Sequence, residues 1–145
     1  MLWARILADA IVVFHACYVA FIVLGLAAIL AGICLGWGWV RNLRFRLVHL
    51  AMIGIVVGEA LAGIPCPLTI WENQLRRQAG QAGYPGDFLG YWAHRLIFYR
   101  AEPWVFTVLY VTFGLAVLAA FILAPPRWPG RHPEPAAAGP PPSTP

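Results

Sequence analysis

Three long apolar segments dominate the pattern of hydrophobic and polar positions along the chain. They cover residues 6–33, 46–64 and 104–124. Because about 20 apolar residues suffice for a helix to cross the hydrocarbon core of a bilayer, each segment predicts a transmembrane helix. The first segment exceeds that length, so we expect it to tilt or to project beyond the core. The pattern therefore predicts an all-α fold, a polytopic membrane helical bundle with three transmembrane helices.

A short helix is predicted directly after the second span, which Pro65 and Pro67 bring to an end. The string from Thr69 to Glu72 matches a capping box, in which the Thr hydroxyl and the Glu carboxylate each accept a backbone N–H at a helix start. This motif predicts a helix that begins at Thr69 and runs to about Ala79. It assigns Glu72 a capping role rather than a catalytic one.

A second short helix is predicted over residues 88–100, after a turn at 84–87. The segment is too short to cross a bilayer, so we expect it to be interfacial or re-entrant. Its aromatic residues Tyr91, Trp92 and Tyr99 suit the headgroup region of a membrane.

The chain changes character at Pro125, after which Pro and Ala dominate. Such a segment cannot bury enough apolar surface to fold. We therefore expect a membrane helical domain over residues 1–124 and a disordered C-terminal tail over residues 125–145.

The composition points to a lipid environment. Hydrophobic residues make up 61% of the chain and charged residues 11%, against about a quarter charged in an ordinary soluble domain. The formal net charge is +4, without a basic stripe, and this excludes a nucleic-acid partner. The expected partner is the lipid bilayer, and a membrane-protein partner or a second copy of the chain stays open.

The arginines give an expected orientation. With three spans, Arg41, Arg44 and Arg46 cluster in one short connection, and dense positive charge at span ends favours the cytoplasmic side. We therefore expect the long loop over residues 65–102 to face outward.

Ionisable residues within the apolar segments are the main functional candidates, because ionisable groups at membrane depth are costly. Helical geometry places Asp9 about 5 Å, His15 about 15 Å and Glu59 about 8 Å below the face from which the long loop emerges. Cys66 and Glu72 lie over that same face. These five residues are predicted to form a site for a small ligand, a metal ion or protons.

Other readings of these residues remain open. Imidazole and carboxylate groups suit zinc or iron, yet no tightly spaced ligand motif occurs. Haem ligation by His15 and His49 is disfavoured, because their depths should differ by roughly 10 Å. The polar groups also suit plain interhelical hydrogen bonding. Cys66 is either a thiol nucleophile beside a helix start or a structural turn residue.

The chain resembles the bacterial integral-membrane family known as domain of unknown function 2784 over roughly residues 1–124. The resemblance rests on Leu7-Ala8-Asp9, His15, His49, Cys66-Pro67-Leu68-Thr69, Glu72-Asn73 and Leu75-Arg76. A His-Tyr pair is common in the family where this chain has Tyr91-Trp92, and the nearest histidine here is His94. The resemblance implies a protein of the bacterial cytoplasmic membrane and implies no activity. Four further residues, His49, Asn73, Arg76 and His94, are candidates of lower weight, and His94 is out of register with the histidine of the family.

Three functions are consistent with the sequence. The first is a non-enzymatic membrane protein whose acid and histidine cluster binds a small ligand, metal or protons. The second is a membrane enzyme, metal-dependent or not, acting on a lipid or quinone-like substrate beneath residues 68–100. The third is a structural or assembly subunit of a larger membrane complex.

Overall fold

The computed structural model of the protein describes residues 1–98 and 102–127, and the regular structure in this part of the chain is helical. The helices are α1 (Leu2–Leu35), a short 3-10 helix (Gly38–Arg41), α2 (Leu43–Ala62), α3 (Pro67–Gln78), α4 (Phe88–Ile97) and α5 (Pro103–Leu123). Helices α1, α2 and α5 are long and apolar enough to cross a membrane. The predicted all-α fold is confirmed, and the three predicted spans coincide with these helices.

Helix α1 is long enough for its two halves to pack against different helices. Its 34 residues extend over about 50 Å, well beyond a hydrocarbon core of about 30 Å. The buried positions Ala8, His15, Ile22 and Ile29 recur every seven residues and therefore lie on one face. The apolar half of this face, from Ile22 onward, packs with α2 and α5.

The apolar core lies between the C-terminal half of α1 and the helices α2 and α5. Its buried members are Ile22, Leu26, Ile29, Ile53, Val117 and Ala120. Helix α2 packs mainly against α5, whereas α1 makes its most extensive contact with α3. The bundle thus has an apolar end, and at its other end α3 covers the N-terminal half of α1.

Two polar side chains of α2 form hydrogen bonds to α5 and α1 at the apolar end of the bundle. The guanidinium of Arg46 donates hydrogen bonds to the carbonyl oxygens of Ala120 (2.5 Å) and Ala124 (2.9 Å), at the last turn of α5. His49 is fully buried, and its Nε2 lies 2.8 Å from the carbonyl oxygen of Ile22 in α1. The Ala120 carbonyl oxygen also accepts the N–H of Ala124, whereas the Ala124 carbonyl oxygen lies at the helix end, where no further N–H of the helix reaches it, so Arg46 acts as a cap for α5.

The start of α3 differs from the sequence prediction. The helix begins at Pro67, with Cys66 as the N-cap residue, so Thr69 lies inside the helix. Pro is well suited to the first helical position because it has no N–H to satisfy there. The predicted capping box is therefore wrong: Glu72 points away from the helix start and bonds elsewhere.

The end of α4 and the C-terminal segment differ in detail from the prediction. Helix α4 ends at Ile97 rather than at residue 100, and the residues 99–101 lie outside the described part of the chain. Residues 125–127 return to the connection between α1 and α2, where the Arg127 N–H donates to the Arg41 carbonyl oxygen at 2.8 Å. Most of the predicted tail, residues 128–145, is not described.

Candidate polar site between the first, third and fourth helices

Helix α3 lies along the N-terminal half of α1 and runs in the opposite direction. Arg76, near the end of α3, reaches Asp9 near the start of α1. Glu72, one turn earlier in α3, is close enough to His15 for their charges to interact. Ala4 and Ala8 are completely buried on α1, and their small side chains allow the helices to approach closely.

The centre of the site is the carboxylate of Glu72, which is only 1% exposed. One oxygen, Oε1, accepts a hydrogen bond from Arg76 Nε at 2.8 Å, and the other, Oε2, accepts one from the Tyr84 hydroxyl at 2.6 Å. A buried carboxylate is tolerated only when it is paired and hydrogen-bonded. Both oxygens of Glu72 meet that requirement within the protein.

Arg76 links this buried carboxylate to the surface. In addition to its bond with Glu72, its Nη2 lies 3.6 Å from Oδ1 of Asp9, and its Nη1 donates to Gln81 Oε1 at 3.3 Å. Burial by itself lowers the pKa of Arg76, but the hydrogen bond and charge of Glu72, with the charge of Asp9, raise it above its ordinary value. The guanidinium is therefore permanently charged and balances Glu72.

Tyr84 comes from the loop after α3 and is held in place by Asn73. The Asn73 Nδ2 donates to the Tyr84 carbonyl oxygen at 3.0 Å, and the Tyr84 N–H donates to Asn73 Oδ1 at 2.9 Å. Burial raises the pKa of Tyr84, and the Glu72 carboxylate raises it further, so the hydroxyl keeps its proton and donates it. A Cβ on Gly83 would lie 2.7 Å from Asn73 Oδ1, which explains the glycine before this tyrosine.

His15 and Thr69 bring unsatisfied polar atoms to the same region. The His15 ring is 7% exposed and stacks on Phe88 of α4, with centroids 4.0 Å apart and an interplanar angle of 21°. Thr69 is 2% exposed and lies one turn before Glu72 on the same face of α3. Within the described residues, His15 Nδ1 and Thr69 Oγ1 are both buried without a hydrogen-bond partner.

Helix α4 covers this region and is fixed at its first turns. Oδ2 of Asp87, the N-cap residue, accepts a hydrogen bond of 2.5 Å from the Tyr110 hydroxyl on α5. Tyr91, one turn further along, stacks on Tyr84 with centroids 3.9 Å apart. With the contact between Phe88 and His15, these interactions seat α4 over the site.

Glu59 and Cys66 form a second polar cluster beside the first. The Cys66 thiol donates a hydrogen bond to the Glu59 carboxylate, and Tyr18 and Tyr110 are near enough for their charges to interact with the thiol. Burial raises the pKa of the Cys66 thiol; N–H groups of the α3 start lower it, and Glu59 raises it again, for a net increase. A protonated thiol is a poor nucleophile, so this environment favours the structural reading of Cys66.

The structure brings some of the candidate residues together and separates others. Asp9, His15, Glu72, Asn73 and Arg76 belong to the network around Glu72. Glu59 and Cys66 form the adjacent cluster, and His49 lies in the apolar half of the bundle. His94 lies on α4, where it lines a cavity of about 290 Å³ with Tyr91, Arg95 and Phe98.

The arrangement of donors bears on the metal hypothesis. In residues 1–98 and 102–127, no group of three or more His, Cys, Asp or Glu side chains is placed to hold one metal ion. The cysteines in this part of the chain are free thiols.

Several residues of the site were not candidates on sequence grounds. The sequence predicts Thr69 as a helix cap, Tyr84 and Asp87 as turn residues, Phe88 as the start of the second short helix and Tyr110 as part of the third span. Only Tyr110 carried a usable signal, because a hydroxyl within an apolar span requires a partner. The others acquire their roles from the way the loop folds back on α1.

Comparisons with known proteins place the chain in a family without assigning an activity. The model of the family described as "Protein of Unknown function (DUF2784)" matches residues 5–126. No curated protein and no solved structure matches the chain.

Proposed function

The chain belongs to the DUF2784 family, and from the geometry of its site we propose that it is a membrane-embedded binding protein. Its ligand is a small uncharged molecule that forms hydrogen bonds, or the uncharged polar head of an amphiphile. The binding groups are His15 on α1 and Thr69 on α3, beside the buried Glu72. This proposal develops the first of the three functions consistent with the sequence.

The observation that carries the proposal is the pair of buried polar atoms His15 Nδ1 and Thr69 Oγ1, which lack partners in the described part of the protein. Leaving such an atom unsatisfied costs about 1–3 kcal/mol, so most buried polar atoms are paired with protein, water or ligand. Two of them next to one buried carboxylate are a feature that a hydrogen-bonding ligand explains. An imidazole nitrogen and a hydroxyl both serve as donor or acceptor.

The charge balance supports an uncharged ligand. Glu72 already binds Arg76 and Tyr84, and Arg76 is shared with Asp9. The network therefore sets two carboxylates, Asp9 and Glu72, against one guanidinium, and it offers no positive charge to an anionic ligand, whose transfer into a buried site is costly without a partner. A carbonyl or hydroxyl group matches what His15 and Thr69 offer.

The apolar composition of the chain also supports a location in a membrane. We propose a multi-pass protein of the bacterial cytoplasmic membrane, with α1, α2 and α5 as spans and the loop carrying α3 and α4 on the outer face. The support is the apolar length of the three helices and the arginine cluster at the start of α2. On this proposal the site opens on the outer half of the membrane.

Histidine NMR tests the binding proposal directly. The chain has four histidines, so selective isotope labelling gives four sets of imidazole signals, and a His15→Gln variant identifies those of His15. The protein in lipid nanodiscs is titrated with a short-chain benzoquinone as an uncharged carbonyl probe, with benzoate as a charged one. We expect a saturable shift of the His15 Nδ1 signal with the quinone and none with benzoate.

Two controls make the result specific. A Thr69→Val variant should weaken the quinone response of His15, whereas Thr107→Val, which removes an exposed hydroxyl on α5, should not. His49, whose Nε2 contacts Ile22, should stay unchanged throughout. A His15 signal that ignores the quinone, or one that responds equally to benzoate, would contradict the proposal.

A further inference from the structure

We propose that α4 is a lid over the site, held shut by the hydrogen bond between Asp87 and Tyr110, and that it opens to admit the ligand. The ligand that the lid would admit rests on the proposed function, whereas the closed position of α4 is argued from contacts within the protein. It assigns a role to Asp87 and Tyr110, neither of which belongs to the network around Glu72.

Three contacts hold the first turns of α4. Asp87 binds Tyr110, Phe88 covers His15, and Tyr91 stacks on Tyr84. Positions 87, 88 and 91 lie close together on one helix surface because of the 3.6-residue repeat. Further along the helix, Leu96 is 70% exposed. A rotation that lifts the first turns would therefore break all three contacts together and uncover His15.

The chain just before α4 is built to absorb such a rotation. Gly86 has φ +86°, a left-handed conformation that glycine adopts without strain. Gly90 lies against the Phe106 ring, where a Cβ would come within 3.3 Å of a ring carbon and within 2.6 Å of Asp87 Oδ1. The closed position thus depends on a flexible residue before the helix and on close packing at its first turns.

Cys66, the N-cap residue of α3, provides a reporter close to the latch residue Tyr110. Its half-buried thiol is near enough to the Tyr110 hydroxyl for their charges to interact, and that hydroxyl binds Asp87. Opening of α4 should therefore raise the access of a thiol reagent to Cys66. The other two cysteines, Cys17 and Cys34, are exposed on α1 and are replaced by alanine in the tested background.

The experiment measures the rate of Cys66 modification by a methanethiosulfonate reagent across a range of pH, with the full chain in nanodiscs. Tyr110→Phe removes the latch, and we expect about a fivefold higher rate, the factor that corresponds to one ordinary hydrogen bond. The increase should appear at every pH without moving the midpoint of the pH profile. Asp87→Ala, which removes the acceptor of the latch and no side-chain cap bond, gives a second test if the first variant folds poorly.

The matched control is Tyr18→Phe, which removes a hydroxyl that donates to the Met52 carbonyl oxygen of α2 and lies near the same thiol, but is not the donor to Asp87. An increase for Tyr110→Phe alone supports the lid. No increase, an equal increase in both variants, or a shifted midpoint alone would overturn it. Since no ligand is present, failure of the lid is distinguishable from failure of the binding proposal, which the histidine titration tests.

Discussion

The imidazole of His49 fills the space that a side chain at Gly25 would need. A Cβ at position 25 would lie 2.6 Å from His49 Cδ2 and 2.7 Å from Nε2, closer than real Cβ atoms approach. The ring is fully buried and its Nε2 is engaged with the Ile22 carbonyl oxygen. The glycine on α1 and the histidine on α2 therefore form one interhelical joint, and His49 has a structural role.

Gly25→Ala should destabilise the protein by about 1–3 kcal/mol, because the added methyl group forces the buried ring out of its place. The measurement is the free energy of unfolding in detergent or nanodiscs. Gly54→Ala on α2 is the control, since nothing lies within 4 Å of a Cβ there and alanine is the better helix former. Equal stability of the two variants would contradict the close fit at His49.

Arg76→Gln should cost about 3 kcal/mol of stability, because it leaves the buried Glu72 carboxylate with Tyr84 as its remaining partner. The exposed neighbour Arg77 offers a matched control, and Arg77→Gln should change stability by less than about 0.5 kcal/mol. Unfolding of both variants under the same conditions separates a specific ion pair from a general loss of positive charge. Similar losses in the two would rule out the assigned role of Arg76.

Tyr84→Phe should lower stability by about 1.5–3 kcal/mol at neutral pH, since it removes a hydrogen bond to a buried carboxylate. The pKa of Tyr84 is raised from an ordinary 10.0, so the folded protein holds this proton more tightly than the unfolded chain. The stabilisation is complete below pH 10 and falls as the pH rises above it.

The stability difference between wild type and Tyr84→Phe should therefore be constant up to about pH 10 and shrink beyond it. Tyr91→Phe, which removes a hydroxyl that accepts a hydrogen bond from Arg95, should show no comparable trend. A difference that stays constant or grows in the alkaline range would mean that Tyr84 does not donate to Glu72.

Glu59→Gln should make Cys66 more reactive near neutral pH. Burial is the main reason for the raised pKa of this thiol, and the hydrogen bond and charge of Glu59 add to it. Removing the charge should lower the pKa and shift the pH profile of thiol modification towards neutrality. Glu102→Gln, at the N-cap of α5, should leave the profile in place; a profile unmoved by Glu59→Gln would show that the two groups do not interact.

The three spans could be predicted from sequence because the length of an apolar segment is a local property. The network around Glu72 could not be predicted, since its members come from α1, from α3 and from the loop after α3. The Thr69 to Glu72 pattern shows the reason. The same spacing describes a capping box and two side chains on one face of a helix interior, and Pro67 decides the matter by starting the helix earlier.

The remaining site residues depended on how the loop returns to α1. Tyr84 contacts Glu72 because Asn73 binds its backbone, and Phe88 meets His15 because the loop after α3 brings the first turn of α4 back to α1. No local pattern marks either contact. Depth arithmetic did place His15 and Glu72 at the same end of the bundle, but it could not supply their neighbours.

The most direct test of the site is the proton spectrum of the His15 ring in the wild-type protein and in Phe88→Leu. A ring stacked 4.0 Å from Phe88 should have its protons shifted upfield by the aromatic ring current. Phe88→Leu should move these signals downfield, whereas Phe98→Leu, at an exposed position after α4, should not. His15 signals at ordinary positions that ignore Phe88→Leu would contradict the closed site between α1, α3 and α4.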